Sequence, residues 1–138
     1  GHRLVADDVV RITRVASGRI VGTAPEATKY LIEVRGIGIV DVRYLFGVGS
    51  AVNEKSIDFI MDLEMFDPTA QYERIGAREK RTELLGVDIP TTVLPVSPGR
   101  NIAVVVEVAA RNFLLKKLGY DTSGHFAKRM ESMFEGKK

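Results

Sequence analysis

"NIAVVVEVAARNFLLKKLG", residues 101–119, is the stretch whose reading decides the fold class. Its first half, "IAVVVEVAA", is rich in β-branched residues and reads locally as a strand. The run continues without a break through "ARNFLLKKLG", however. Asn101 is a good helix cap and Gly119 a good stop, and Lys116 and Lys117 fall in the last turn, where the helix dipole favours cations. One buried helix over 101–119 satisfies every one of these signals. A second, amphipathic helix follows over Ser123 to Glu135, with Phe126, Met130, Met133 and Phe134 as its apolar side.

Upstream, strands dominate. "IDFIMDLEMF", Ile57 to Phe66, is the cleanest: Ile57, Phe59, Met61, Leu63 and Met65 alternate with Asp58, Asp62 and Glu64. Asp67-Pro68 ends it, and "TAQYERIG" reads as a loop. Thr91 to Val96 is another strand, stopped by "SPGR". Nearer the start, Leu4 to Ala6 and Val10 to Val15 read as strands, and Ser17-Gly18 turns the chain so that Arg19 to Gly22 returns as a hairpin partner. Thr23, Pro25 and Glu26 then suit a helix start, which predicts a helix to about Val34 with Ala27, Tyr30, Leu31 and Val34 on one face. "RGIGIVDV" breaks it, because two glycines within three residues let the backbone turn. Strands and helices are interspersed, so the expectation is an α/β domain with a mixed sheet.

The 138 residues are about one domain's worth and can bury a core. Apolar residues make up 45% and charged residues 28%, ordinary values for a globular protein. A net charge of +2, no basic run and only 7% aromatic residues argue against a nucleic-acid partner. There are no cysteines, which excludes disulfides and thiolate metal sites and fits a reducing cytoplasm. No spanning helix or signal peptide is read, so no membrane role is expected. Gly1-His2-Arg3 leads into a strand without Met or an approach segment, which reads as a fragment.

Several residues could carry chemistry, each beside a plainer reading. Asp7-Asp8 is either a polar turn at a strand end or a metal or proton-transfer site at the lip of a sheet. Glu33, near the end of the expected helix, is either a solvated acid or a cation ligand beside a phosphate-cradling glycine loop. Arg74 in "QYERIG" is either a solvated loop arginine or a guanidinium that stabilises a transferring phosphoryl group. "PVSPGR" is a turn before a helix, or an anion site where Gly99, Arg100 and a helix N-terminus meet. His2 and His125 receive no role. There is no Ser-His-Asp arrangement, zinc spacing, GxGxxG or GxxxxGK[ST].

Taken together and in order, "GHRLVADD", "IEVRGIGIVDV", "YERIG", "PVSPGRN" and "VEVAARNF" resemble the C-terminal catalytic domain of HPr kinase/phosphorylase. The resemblance implies a P-loop kinase-type α/β fold related to the nucleotide-binding part of phosphoenolpyruvate carboxykinases, with residues 1–138 forming one partial catalytic domain. It implies ATP- and Mg²⁺-dependent phosphorylation of a serine in HPr, with Mn²⁺ as an alternative metal. The reverse reaction would be phosphorolysis by inorganic phosphate, giving pyrophosphate, and the pair would regulate carbon catabolite repression. Asp8 resembles the proton acceptor of the kinase reaction and donor of the reverse, and Asp7 the adjoining Walker-B-like acid. Glu33 resembles a Mg²⁺ ligand within the signature of both reactions: Ile32, Glu33, Val34, Arg35, Gly36, Ile37, Gly38, Ile39, Val40 and Asp41. Arg74 resembles the catalytic arginine. The segment Pro95, Val96, Ser97, Pro98, Gly99 and Arg100 matches the dephosphorylation loop, with Ser97 where many members carry a basic residue. The family's Walker A loop and a catalytic histidine would lie upstream of Gly1, so this chain alone is expected to have little activity.

A reading from a different class is an assembly module: the Ser123–Glu135 helix would dock HPr or a neighbouring subunit, in a family that is typically hexameric. The paired "RGIGIVDV" and "PVSPGR" segments argue against a third reading, a small-molecule kinase or carboxykinase relative.

Overall fold

The computed structural model describes residues 1–70 and 80–136. The chain divides into two compact units, Gly1–Asp58 with Arg81–Ile89, and Phe59–Lys80 with Pro90–Lys138.

In the first unit, β1 (Arg11–Arg14) and β2 (Ile20–Thr23) form the hairpin expected around Ser17-Gly18, in the register Arg11↔Thr23 to Arg14↔Ile20. The hairpin is closed by the Val15 N–H donating to the Arg19 carbonyl at 2.9 Å. A second hairpin pairs β3 (Leu31–Val34) with β4 (Gly38–Asp41), and the short helix α1 (Val42–Phe46) follows directly. β5 (Glu54–Ser56) returns to flank β2 from its other side, so the sheet order is β1-β2-β5. β2 is the middle strand, and it holds Ile20, 1% exposed, beside the buried Val21. Val42 and Ile89 are the other buried large apolar residues among those described.

Two expectations fail here. Leu4 to Ala6 is not a strand: Leu4 alone forms a parallel bridge to Ala51, and Asp7-Asp8 lies in a bend. Nor is there a helix from Thr23 to Val34. Pro25 is extended at φ −56, ψ 143, a single 3-10 turn covers Glu26–Thr28, and Tyr30 at φ 70 swings the chain into β3. The apolar spacing of Ala27, Tyr30, Leu31 and Val34 mimics a helical face. Ile32 and Val34 instead suit a strand, and a hairpin partner lies just beyond.

β7 (Lys80–Leu84) and β8 (Val87–Val96) are joined by only Leu85-Gly86, at φ 49 and φ 78. Two consecutive positive φ values are the signature of a type I′ turn, whose twist matches an antiparallel hairpin. This hairpin was not anticipated from the sequence.

In the second unit, β6 (Ile60–Met65) pairs in parallel with Thr91–Val96 of β8, giving the expected mixed pairing. α2 (Ile102–Lys117) and α3 (Thr122–Glu135) fall where the two helices were expected, but α2 is not the buried helix anticipated: none of its residues is buried, and Val104, Val108 and Leu114 stand exposed. The Asn101 side chain accepts from the Val104 N–H at 3.3 Å and caps α2. At the other end, the Gly119 N–H donates to Lys116 and the Tyr120 N–H to Leu115, the Schellman arrangement that ends a helix at a left-handed glycine. Phe59 stacks on Phe113 of α2, with ring centroids 4.4 Å apart. Among the described residues, no helix is long and apolar enough to cross a membrane.

Candidate phosphoryl-transfer site

The site begins at the Asp7-Asp8 bend. Asp8 has φ 43, in the left-handed region that aspartate tolerates better than most side chains. Because the pair is not on a strand, strand alternation does not separate the two side chains. Instead Asp7 is half-buried and its Oδ2 accepts the backbone N–H of Glu33 at 3.0 Å, while Asp8 is exposed. The polar-turn reading of this dipeptide holds: it is a bend, and its first carboxylate grips the strand that carries Glu33.

Glu33 is an exposed residue of β3, opposite Ile39 of β4, and not the last-turn helix residue expected. The opposing helix dipole is thus absent, and the neighbouring backbone donor is tied to a carboxylate. The signature segment 32–41 is the β3–β4 hairpin itself, complete but for Leu31. Its tip is closed by the Ile37 N–H donating to the Val34 carbonyl at 3.0 Å, with Gly36 at φ 84 and Gly38 at φ 108. No atom lies within 4 Å of where a Cβ would stand on either glycine, so what these positions require is their backbone conformation, not empty space.

The open end of the hairpin is clamped by Asp41, the last residue of that segment, together with Tyr30, Arg43 and Asn53, which the sequence did not mark as site residues. Asp41 caps α1, taking the Arg43 N–H at 2.9 Å. Its two oxygens also take the Arg43 guanidinium in a fork, Nε to Oδ1 at 3.1 Å and Nη2 to Oδ2 at 2.7 Å. The same guanidinium lies 3.8 Å from the centroid of the Tyr30 ring. The Tyr30 hydroxyl donates to Asn53 Oδ1 at 2.6 Å, and its carbonyl accepts from the Val42 N–H at 3.1 Å. Hydrogen bonding from Arg43 holds the Asp41 carboxyl below its ordinary value, and the same contact raises Arg43.

The expected dephosphorylation loop, Pro95–Arg100, belongs to the second unit. It runs from the end of β8 through a turn closed by the Arg100 N–H on the Ser97 carbonyl at 3.3 Å. The Arg100 guanidinium donates back to the Pro95 carbonyl at 3.2 Å, so it braces its own loop at the foot of α2. Arg74 lies outside the described residues. His125 stacks on Tyr120 at 4.9 Å.

Among the described residues, no group of three or more His, Asp or Glu side chains could hold a metal unaided. The Asp7 carboxylate reaches the Glu33 backbone, so what the fold brings together is the Asp7-Asp8 bend and the strand that carries the Glu33 side chain.

The family model for the HPr Serine kinase C-terminal domain matches residues 1–130. The chain belongs to this family. It is 43% identical over 132 residues to the HPr kinase/phosphorylase of Brevibacillus brevis, covering 96% of this chain and 42% of that relative. It is 47% identical over 131 residues to the protein of the same name from Caldicellulosiruptor bescii, covering 95% of this chain and 42% of the relative. The chain thus spans less than half the length of these curated relatives. A solved structure, the HPr(Ser) kinase/phosphatase from Coxiella burnetii, superposes with a TM-score of 0.80 at 32% identity, over 91% of this chain and 76% of that one. The fold is therefore that of the HPr kinase C-terminal domain, as its motifs implied.

Within this family frame, the residues that sequence reasoning missed are Tyr30, Arg43 and Asn53. No local motif marks them. Only the turn at Tyr30 and the cap at Asp41 bring them together, and the capping sequence Asp41-Val42-Arg43 was the one available signal.

Proposed function

We propose that the chain supplies the proton-transfer and metal-binding carboxylates of an HPr kinase/phosphorylase. The observation that carries this reading is the hydrogen bond from the Glu33 N–H to the Asp7 carboxylate, which joins the two acidic motifs into one locus. In the forward direction, the serine Oγ of HPr bonds to the γ-phosphorus of ATP, its proton passes to the Asp8 carboxylate, and the bond to ADP breaks. In reverse, an oxygen of inorganic phosphate attacks the phosphoserine phosphorus, Asp8 returns the proton to Oγ, and pyrophosphate leaves. Glu33 would hold Mg²⁺ or Mn²⁺, which neutralises charge on the phosphates when bound. Arg74 would stabilise the transferring group, and Pro95–Arg100 would serve the reverse reaction. A positioned carboxylate contributes roughly 10²–10⁴ in rate, and positioning and electrostatics contribute the larger share.

Because the family match runs through both compact units, we read them as parts of one catalytic domain. A cytoplasmic setting follows from the proposed partner, HPr, and accords with a cysteine-free sequence. The second reading, an assembly or docking role, is favoured by one observation: Phe126, Met133 and Phe134 on α3 are all exposed. It is compatible with the first and extends to a homo-oligomer, a hexamer by family resemblance.

The test is a chimera in which the C-terminal domain of the Brevibacillus brevis relative is exchanged for this chain. With ATP and Mg²⁺, intact-mass analysis should show one phosphoryl group on HPr, located on serine by fragmentation. A folded chimera that binds ATP yet leaves HPr unmodified would refute the kinase reading.

A further inference from the structure

We propose that Arg43, locked between Asp41 and the Tyr30 ring, is a positioning residue that sets the β3–β4 hairpin against the Asp7-Asp8 bend. The inference rests on the function proposed above, since it concerns how Glu33 is presented. Two contacts among the described residues tie the hairpin to the rest of its unit. One is the Asp7–Glu33 hydrogen bond on β3. The other is the cluster at its open end, where Leu31 pairs with Asp41. There the Asp41 carboxylate forks onto Arg43, Arg43 covers Tyr30 at 3.8 Å, and the Tyr30 hydroxyl reaches Asn53, the residue before β5 of the three-stranded sheet.

Tyr30 sits at φ 70, unfavourable for a ring-bearing residue, so its conformation persists only while contacts hold it. Arg43 supplies such a contact from one side and Asn53 from another. A guanidinium serves where an ammonium would not, because its plane both forks onto a carboxylate and stacks on a ring. Lys29 Nζ also lies over the ring, 5.2 Å from its centroid, but an ammonium cannot both fork onto Asp41 and stack on the ring as the guanidinium does. Removing Arg43 frees Tyr30 to relax, the hairpin pivots, and the Glu33 N–H loses its alignment with Asp7.

The test is amide hydrogen exchange and ¹⁵N–¹H NMR on the full 138-residue chain, which reads the geometry whether or not the chain transfers phosphate. In Arg43→Leu, the Glu33 amide should exchange on the order of tenfold faster and its resonance should move, while Val21 and Gly22 in β2 keep their protection. Arg43→Lys, a milder change, should restore only part of the protection at Glu33. Tyr30→Phe, which keeps the ring and removes the Asn53 bond, should give a smaller loss in the same amides. Unchanged Glu33 protection in Arg43→Leu, full rescue by lysine, or an equal loss across β2 and β3 would each overturn the proposal. The last outcome would mark Arg43 as a general structural residue.

Discussion

Asp41 is 17% exposed and its partner Arg43 37%, so the pair is partly shielded but still in touch with solvent. Arg43 holds the folded carboxyl below its ordinary value of 3.8. A depressed carboxyl contributes stability that is present in full above the unfolded value and is lost as pH falls through the folded one. The stability difference between the parent and Arg43→Leu should therefore be constant at neutral pH and shrink only below about 4. Denaturation curves at a series of acid pH values read this directly, and in Arg43→Leu a ¹³C titration of the Asp41 carboxyl should move back up toward 3.8. Asp7 has a different part. Asp7→Ala removes the acceptor of the Glu33 N–H and should cost about 1 kcal/mol, whereas Asp7→Asn keeps a carbonyl acceptor and should cost less. Equal losses in urea melts would mean that this bond is not what Asp7 contributes.

At the scale of elements, the turns carry the sharpest consequences. Leu85 occupies a left-handed position in a type I′ turn, where a leucine Cβ is crowded. Leu85→Asn creates Asn-Gly, the pair this turn prefers, and should stabilise the chain by about 1 kcal/mol in urea denaturation. Asn101→Ala should cost about 1 kcal/mol by removing the cap of α2. The two long helices were legible because their signals agree: Asn101, the paired lysines and Gly119 bracket α2, and a clear apolar stripe marks α3. The β3–β4 hairpin was not, because Tyr30 turns the chain at a residue that carries no turn signature, and a four-residue strand is too short to show its own period against a helical one. The β7–β8 hairpin had a signal, Leu85-Gly86 between alternating residues, but leucine at a positive φ hides it.

For the whole molecule, the described residues include only four buried large apolar side chains, Ile20, Val21, Val42 and Ile89. Large apolar residues stand exposed on α1, at Tyr44 and Phe46, and on α3, at Met133 and Phe134. Exposed apolar surface drives association, so sedimentation of the isolated chain should show mass rising with concentration, and Phe134→Glu should weaken it. A single monomeric species at every concentration would contradict the assembly surface on α3. The family was legible as motifs in order along the chain, "ADD" and "IEVRGIGIVD" among them, and the candidate site is read from the same motifs. The geometry of the site was not, since the bond between Asp7 and the Glu33 amide joins residues 26 apart through a bend and a hairpin that local patterns do not encode. The most direct measurement is the rate of phosphoryl transfer to HPr by the chimera carrying Asp8→Ala, beside the unsubstituted chimera. The account predicts a rate lower by at least about 10², with ATP affinity and melting temperature held. Transfer at the parent rate would contradict it and take the proton-transfer role away from Asp8.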